Sequence, residues 1–198
     1  MRVVLAAVLI LAAQADSGES FVRHHKGKTW TYRSLVRQED LKHTLKITYE
    51  VLEADDRRVL LKATTAQELD ALETSQESKF EWALRDGFVT WSSVGEKPTV
   101  INLFRPGAKK GDTWKSRGFS NEEAEAQYLG TEEVTVPAGT WKDAHVVTFR
   151  GQSQVRDDKM EDFVYRCWLV PGVGVVKLEW TWAHWSLKNE LVSIKEPK

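Results

Sequence analysis

The sequence lacks a hydrophobic run long enough to cross a membrane. Its longest apolar stretch covers residues 3–13, whereas a spanning helix needs about 20 apolar residues. Arg2 precedes this stretch, and Ala13-Gln14-Ala15 ends it with the small-x-small pattern of a signal peptidase site. We therefore expect residues 1–15 to be a signal peptide that is cleaved on export, and residues 16–198 to form one soluble domain.

Cysteine is almost absent, because Cys167 is the only one. This excludes internal disulfides, and a chain of 183 residues (198 minus 15) can bury a sufficient core without them. A lipoprotein signal would need a cysteine at its cleavage point, so we expect no lipid anchor. Cys167 falls between Tyr165 and Leu169 on one predicted strand face, which favours a buried, inert thiol over pairing with another chain.

The chain has no excess of charge of either sign. It carries 28 Lys and Arg against 29 Asp and Glu, a formal net charge of −1. No basic cluster is dense enough to neutralise a row of phosphates. Nucleic acid is therefore not an expected partner.

Motifs for catalysis and metal binding are also missing. There is no G-x-S-x-G elbow, no cysteine with activating neighbours and no carboxylate pair in an apolar context. His24 and His25 are adjacent and would point to opposite faces of a strand, whereas the other histidines are isolated in sequence. We therefore expect no enzymatic activity, no metal and no cofactor.

What the sequence does contain is alternation of apolar and polar residues, the period of a half-buried strand. This alternation predicts strands at residues 41–51, 57–65, 80–85, 88–91, 127–136, 140–151, 159–170, 173–183 and 185–195. Pro-Gly or Asp-Gly turns often separate them. Residues 66–78 have a weak helical period, which we interpret as a polar connection or the exposed ends of strands. About ten strands with minimal helix predict an all-β fold, a single curved antiparallel sheet.

Three tryptophans begin strands after a similar turn. Gly27-Lys28-Thr29-Trp30 and Gly111-Asp112-Thr113-Trp114 are alike, and Gly139-Thr140-Trp141 is a partial third copy. Two similar halves of a sheet would explain the copies. We favour the simpler explanation that this turn is used repeatedly.

Three of these motifs together resemble a group of uncharacterised bacterial envelope β-proteins. The motifs are G-D-x-W at 111–114, V-P-A-G-T-[FW] at 136–141 and W-x-x-P-G-V-G-x-V-K at 168–177. The resemblance implies a half-barrel or open barrel, distantly similar to the periplasmic lipoprotein carriers LolA and LolB. Those relatives hold acyl chains in a concave face, but the group assigns no catalytic residues to carry across.

Nine tryptophans are the strongest functional signal, because each large ring either anchors a core or marks a surface that something else covers. We expect a non-catalytic, exported envelope protein, periplasmic or extracellular, that binds a lipid, an acyl chain or another amphiphile, or covers an envelope protein partner, with an aromatic concave sheet. The predicted ligand-binding residues are Phe80, Trp82, Trp91, Phe104, Trp180 and Trp182. Two alternatives remain: a carbohydrate-binding or protein-assembly module with exposed Trp, and a small hydrolase.

Overall fold

The computed structural model describes residues 18–39, 41–69, 72–119, 121–154, 160–182 and 185–197. The predicted signal peptide lies outside these residues. One short helix, α1 (Glu19–Val22), precedes the strands. The strands are β1 (Thr29–Gln38), β2 (Leu41–Ala54), β3 (Arg58–Leu69), β4 (Leu72–Arg85), β5 (Phe88–Ser93), β6 (Val100–Phe104), β7 (Thr113–Arg117), β8 (Glu123–Val136), β9 (Gly139–Gln154), β10 (Met160–Val170), β11 (Gly174–Trp182) and β12 (Trp185–Lys195). Within the described ranges, no helix has the length and apolar character to cross a membrane.

The twelve strands form one antiparallel sheet with the order β6-β5-β4-β3-β2-β1-β12-β11-β10-β9-β8-β7. Strands that are consecutive in the chain therefore pair with each other, except β6 and β7, which are the two edges of the sheet, and β1 additionally pairs with β12. Short turns make this meander possible. Asp86 and Gly87 both have positive φ, 50° and 78°, as the predicted Asp-Gly hairpin turn between β4 and β5 requires.

The sheet curls until its two edge strands, β6 and β7, come side by side. Among the described residues no main-chain ladder joins them, and side chains bridge the seam instead. The indole Nε1 of Trp114 donates to the carbonyl of Asn102 at 2.8 Å, and the Asn102 main-chain N–H donates to Oγ of Ser116 at 3.1 Å. The result is a nearly closed barrel whose exposed edges are covered by specific polar contacts.

The N-terminal segment packs against one end of the barrel, here called the helix end. Phe21 and Val22 of α1 are fully buried, and the Phe21 ring lies 5.1 Å from the Phe104 ring, centroid to centroid. The Gly172 N–H donates to the carbonyl of Ser20 at 2.6 Å, which ties α1 to the turn between β10 and β11. The opposite end, here called the far end, is where β1 ends at Gln38.

The hairpin of β8 and β9 folds over the outside of the barrel. At its Pro-Ala-Gly turn the Ala138 N–H donates to the carbonyl of Leu191 on β12, at 3.0 Å. In the sheet order, β10 and β11 lie between β9, which follows this turn, and β12. Trp168 faces outward on β10, yet it is only 3% exposed. Its indole N–H donates to Glu132 of β8 at 2.6 Å.

The predicted fold class is confirmed: the protein is all-β, antiparallel and built from a single sheet. The twelve strands are close to the predicted number of about ten, and the nearly closed barrel corresponds to the predicted open barrel more closely than to the predicted half-barrel. Residues 66–78 contain the adjoining ends of β3 and β4, so the interpretation as strand ends is confirmed.

Candidate functional site

A cavity of about 290 Å³ lies inside the barrel. Aromatic and aliphatic side chains form its wall, Asn189 is the one side chain outside these two classes, and no charged side chain of the described residues lines it. The lining residues are Trp30, Tyr32, Ile47, Tyr49, Leu61, Trp82, Trp91, Leu103, Phe119, Val175, Leu178, Trp180, Leu187 and Asn189.

Strand geometry explains why these residues converge. Side chains two apart on a strand share a face, so Trp30 and Tyr32 of β1 both point inward. Their partners on β2 are Tyr49 and Ile47, which therefore point inward as well. The same alternation brings pairs from β11 and β12 to the wall, which makes the lining a product of many strands.

At the helix end, the cavity is bounded by a tryptophan pair. The rings of Trp30 and Trp82 lie 6.5 Å apart, and the His24 ring packs edge-on against Trp30 at 4.7 Å. Burial, together with the nearby Lys28 ammonium, lowers the pKa of His24 to about 4. His24 is therefore neutral at pH 7 and completes an uncharged aromatic floor.

The Lys28 side chain lies beneath this floor and is itself largely buried. Its Nζ forms an ion pair with Glu196 at 2.9 Å and donates to the Gly172 carbonyl at 3.4 Å. These two contacts satisfy the ammonium outside the cavity. Lys28 thus links Glu196, after β12, to the turn between β10 and β11 at the helix end.

Two tyrosines sit in the wall without adding charge to it. The Tyr32 hydroxyl donates to the Val175 carbonyl at 2.6 Å, and the Tyr49 ring packs edge-on at 5.6 Å from Tyr32. Burial raises the pKa of Tyr49 to about 12 and raises that of Tyr32 above its ordinary value too. Both phenols stay protonated at neutral pH.

Several polar atoms of the wall residues have no hydrogen-bond partner among the described residues. These are Nε1 of Trp30, Trp91 and Trp180 and Oδ1 of Asn189, and each of these atoms is fully covered. Covered atoms contribute no surface, so the cavity presents mainly carbon to anything inside it. Such a wall recognises apolar groups rather than hydrogen-bonding ones.

Phe119 covers the cavity on the side of the far end. It lies in the turn between β7 and β8, and its ring packs against Trp91 at 4.8 Å and Trp180 at 6.1 Å. Its main-chain N–H donates to the Tyr165 hydroxyl at 3.3 Å. Phe119 is half-buried, which leaves part of the ring at the surface between solvent and cavity.

Three of the six predicted ligand-binding residues, Trp82, Trp91 and Trp180, line the cavity. Phe80 and Trp182 support the wall from outside the lining. Phe80 stacks on Trp91 at 4.9 Å, and Trp182 lies parallel to Trp180, with ring planes 9° apart and centroids 6.3 Å apart. Ligand contact by these five residues stays a prediction.

Phe104, the sixth predicted residue, lies at the helix end, away from the cavity lining. It is 1% exposed and packs against Phe21 and the ring of His145, the latter at 4.8 Å. The structure therefore places Phe104 in the core that anchors α1. Phe104 does not line the cavity, and its role in ligand contact stays a prediction.

Sequence reasoning missed Trp30, Tyr32, Tyr49 and Phe119 as cavity residues. Signals for two of them were present: Trp30 ends the first G-x-T-W copy, and Tyr49 belongs to the alternating apolar face of residues 41–51. For Phe119 the signal is a lone aromatic residue in an otherwise small and polar turn. None of these signals distinguishes a side chain that lines a cavity from one that fills a core.

All nine tryptophans are buried or half-buried. Trp168, which faces outward, is covered by Arg166 at 4.8 Å and Lys177 at 4.4 Å from its ring centroid. An exposed, flat Trp surface was the feature expected of a carbohydrate-binding or assembly module. The observed burial gives that alternative no support.

The fold and the site define a twelve-stranded, nearly closed antiparallel barrel with an aromatic internal cavity. Two solved structures share this fold. One is a Bacteroides fragilis protein considered to be exported and to have a YmcC-like fold, with a TM-score of 0.60 and 16% identity over 89% of this chain and 99% of that one. The other is a Parabacteroides distasonis protein considered to be a lipoprotein, with a TM-score of 0.63 and 15% identity over 88% and 98% of the two chains. No family model matches the chain, and no curated protein does.

Proposed function

We propose that this is a non-catalytic protein of the bacterial cell envelope that binds an apolar or amphiphilic ligand, such as a lipid or an acyl chain, inside its barrel. The observation that carries the proposal is the cavity wall, in which aromatic and aliphatic side chains surround about 290 Å³ and no charged side chain of the described residues takes part. Neutral His24 and protonated tyrosines keep that wall uncharged at pH 7.

The size of the cavity fits a chain rather than a bulky ring system. Ligand pockets usually enclose about 300–1,000 Å³, so this one is at the small end and suits part of a flexible hydrocarbon chain. Each buried methylene contributes about 0.8 kcal/mol to binding. About ten methylenes among the rings of Trp91, Trp180 and Phe119 would contribute about 8 kcal/mol, the free energy that corresponds to micromolar affinity before the cost of association is subtracted.

The cellular location follows from two independent considerations. Residues 1–15 have the pattern of a signal peptide. The two proteins of similar fold are themselves considered exported and a lipoprotein. An exported barrel with an apolar interior suits an envelope, where lipids must cross aqueous space between membranes.

The first experiment is native mass spectrometry of the protein purified gently from its own envelope, followed by organic extraction and lipid identification. A bound acyl or polyprenyl species supports the proposal. A clean protein mass, together with tryptophan fluorescence that does not respond to added lipids, contradicts it.

A matched pair of variants tests whether the cavity is the binding site. Leu187→Trp places a large ring in the cavity from β12, whereas Thr181→Trp adds the same ring at an exposed position of β11. Titration with a fluorescent fatty acid should show at least a ten-fold loss of affinity for Leu187→Trp and none for Thr181→Trp. Equal affinities would place the ligand elsewhere.

A further inference from the structure

The far end of the barrel carries exposed apolar side chains from separate strands. Leu41, at the start of β2, is 60% exposed, Met160, at the start of β10, is 57% exposed, and Val94, just after β5, is 51% exposed. The sheet order separates these three strands, so the side chains are distributed around the end rather than gathered in one patch. Single exposed apolar side chains are common on protein surfaces, so these three are informative only together with the charges that lie beside Leu41.

A row of cations lies on the outer face of β1 and β2 beside this end. Arg37 pairs in register with Lys42, and Arg33 pairs with Lys46, so like charges stand directly opposite each other on neighbouring strands. Such pairs destabilise a sheet. Arg33 is compensated by an ion pair with Glu190 at 3.3 Å.

The other three cations of the row are not compensated within the described residues. Arg37, Lys42 and Lys46 are exposed and form no ion pair there. Lys188 adds a cation on β12, and it shares Glu190 with Arg33 at 2.8 Å. Glu39 is exposed at the end of the row, and Glu179 of β11 stands directly opposite Lys188. The cationic part of this face is therefore the β1–β2 pair with Arg37, Lys42 and Lys46, and an anionic surface would relieve the repulsion there.

We propose that the far end of the barrel docks on an anionic lipid bilayer. The exposed Leu41, Val94 and Met160 enter the boundary between headgroups and acyl chains, while Arg37, Lys42 and Lys46 contact anionic headgroups. Apolar tips beside a cationic flank form the combination that places proteins at a membrane interface. Docking in this orientation brings Phe119, which covers the far side of the cavity, toward the bilayer.

The test is flotation of the purified protein with vesicles of equimolar phosphatidylglycerol and phosphatidylcholine, and with vesicles of phosphatidylcholine alone. Wild type should bind the anionic vesicles preferentially. Binding should weaken as the Debye length falls from about 10 Å at 0.1 M salt to about 3 Å at 1 M. Each cation removed should lower the partition coefficient about five-fold.

The decisive variant is Arg37→Gln with Lys42→Gln, and its matched control is Lys109→Gln with Lys110→Gln. The control removes the same charge from an exposed loop at the helix end. The first variant should lose about 25-fold in partition coefficient, and the control should match wild type. Leu41→Ser should separately lower the binding that survives high salt.

Three outcomes would overturn the proposal: no preference of wild type for anionic vesicles, equal losses in the variant and the control, or no binding at all. The last outcome would leave the cationic row to a soluble acidic partner. Titration of the same variants with a fluorescent fatty acid in the absence of vesicles separates this proposal from the cavity proposal. Unchanged fatty acid affinity with lost flotation shows that docking and cavity binding are distinct.

Discussion

The indole of Trp82, on β4, lies directly against the Cα of Gly174, on β11. A Cβ at position 174 would overlap the Cη2 and Cζ3 atoms of that indole. β4 and β11 are not neighbours in the sheet, so this contact crosses the interior of the barrel. It bounds the cavity at the helix end, and it depends on a residue without a side chain.

Gly174→Ala should therefore destabilise the protein more than Gly172→Ala. Both glycines have positive φ, 101° and 73°, but a Cβ at Gly172 would meet nothing within 4 Å. Gly172→Ala should cost about 1–2 kcal/mol of unfolding free energy for the backbone conformation alone. Gly174→Ala should cost about 1–3 kcal/mol more because Trp82 must move.

Urea denaturation of both variants measures the difference. Trp82→Phe in the Gly174→Ala background should recover part of the loss, since the smaller ring leaves room for the new methyl group. Equal costs at positions 172 and 174 would show that the contact between Trp82 and Gly174 is not tight.

Removing the ring of Phe119 should speed ligand exchange. Phe119→Ala takes away the side chain that contacts Trp91 and Trp180 at the far side of the cavity. Stopped-flow displacement of a fluorescent fatty acid should show dissociation faster by about ten-fold, equivalent to about 1.4 kcal/mol of lost contact. Val94→Ala, at the same end but outside the cavity lining, is the control. Unchanged dissociation would mean that ligands enter by another route.

The side-chain bridge between β6 and β7 should be measurable in local stability. Trp114→Phe removes the hydrogen bond from the indole to the Asn102 carbonyl, although Ser116 Oγ still lies 3.3 Å from that carbonyl. We expect a loss of about 1 kcal/mol. Amide hydrogen exchange should become faster in β6 and β7 before the rest of the sheet. Trp141→Phe, a tryptophan whose indole makes no described hydrogen bond, should leave exchange at the seam unchanged.

Stability should fall on mild acidification because of His24. Its pKa is about 4 in the folded protein against 6.5 for the free group, so between these values the unfolded state binds the extra proton. The buried, neutral His24 therefore leaves the free energy of unfolding at its full value above pH about 6.5. As pH falls from 6.5 toward 4, the free energy of unfolding decreases by up to about 1.4 kcal/mol per pH unit.

The check is urea denaturation of wild type, His24→Leu and His25→Gln between pH 7.5 and pH 5. His24→Leu should show a shallower fall than wild type, whereas exposed His25 should make no difference when replaced. Parallel curves for wild type and His24→Leu would contradict the burial of a neutral imidazole.

Cys167 should be unreactive while the protein is folded. It is fully buried, and that burial raises the pKa of its thiol to about 12. Ellman's reagent at mildly alkaline pH should therefore label none of the native protein and one thiol per chain in denaturant. Rapid labelling of the native protein would show that the thiol is accessible.

The sequence by itself determined most of the strands, several turns and the fold class, because these depend on local patterns. β6 was not among the predicted strands. Alternation in residues 41–51 identifies β2, and Asp86-Gly87 supplies the backbone conformation of a hairpin without help from distant residues. The abundance of Trp also predicted an aromatic inner face, and Trp82, Trp91 and Trp180 line the cavity, whereas their contact with a ligand stays a prediction.

Only the tertiary structure decided how far the sheet curls and which aromatic residues surround the cavity. Closure depends on Asn102 and Trp114 meeting from strands at opposite edges of the sheet, and no local pattern encodes such a meeting. Phe104 and Trp30 look equivalent in sequence, yet one anchors α1 and the other lines the cavity. The difference arises because a side chain's surroundings are set by strands distant in sequence, whereas its direction from the strand is set by its immediate neighbours.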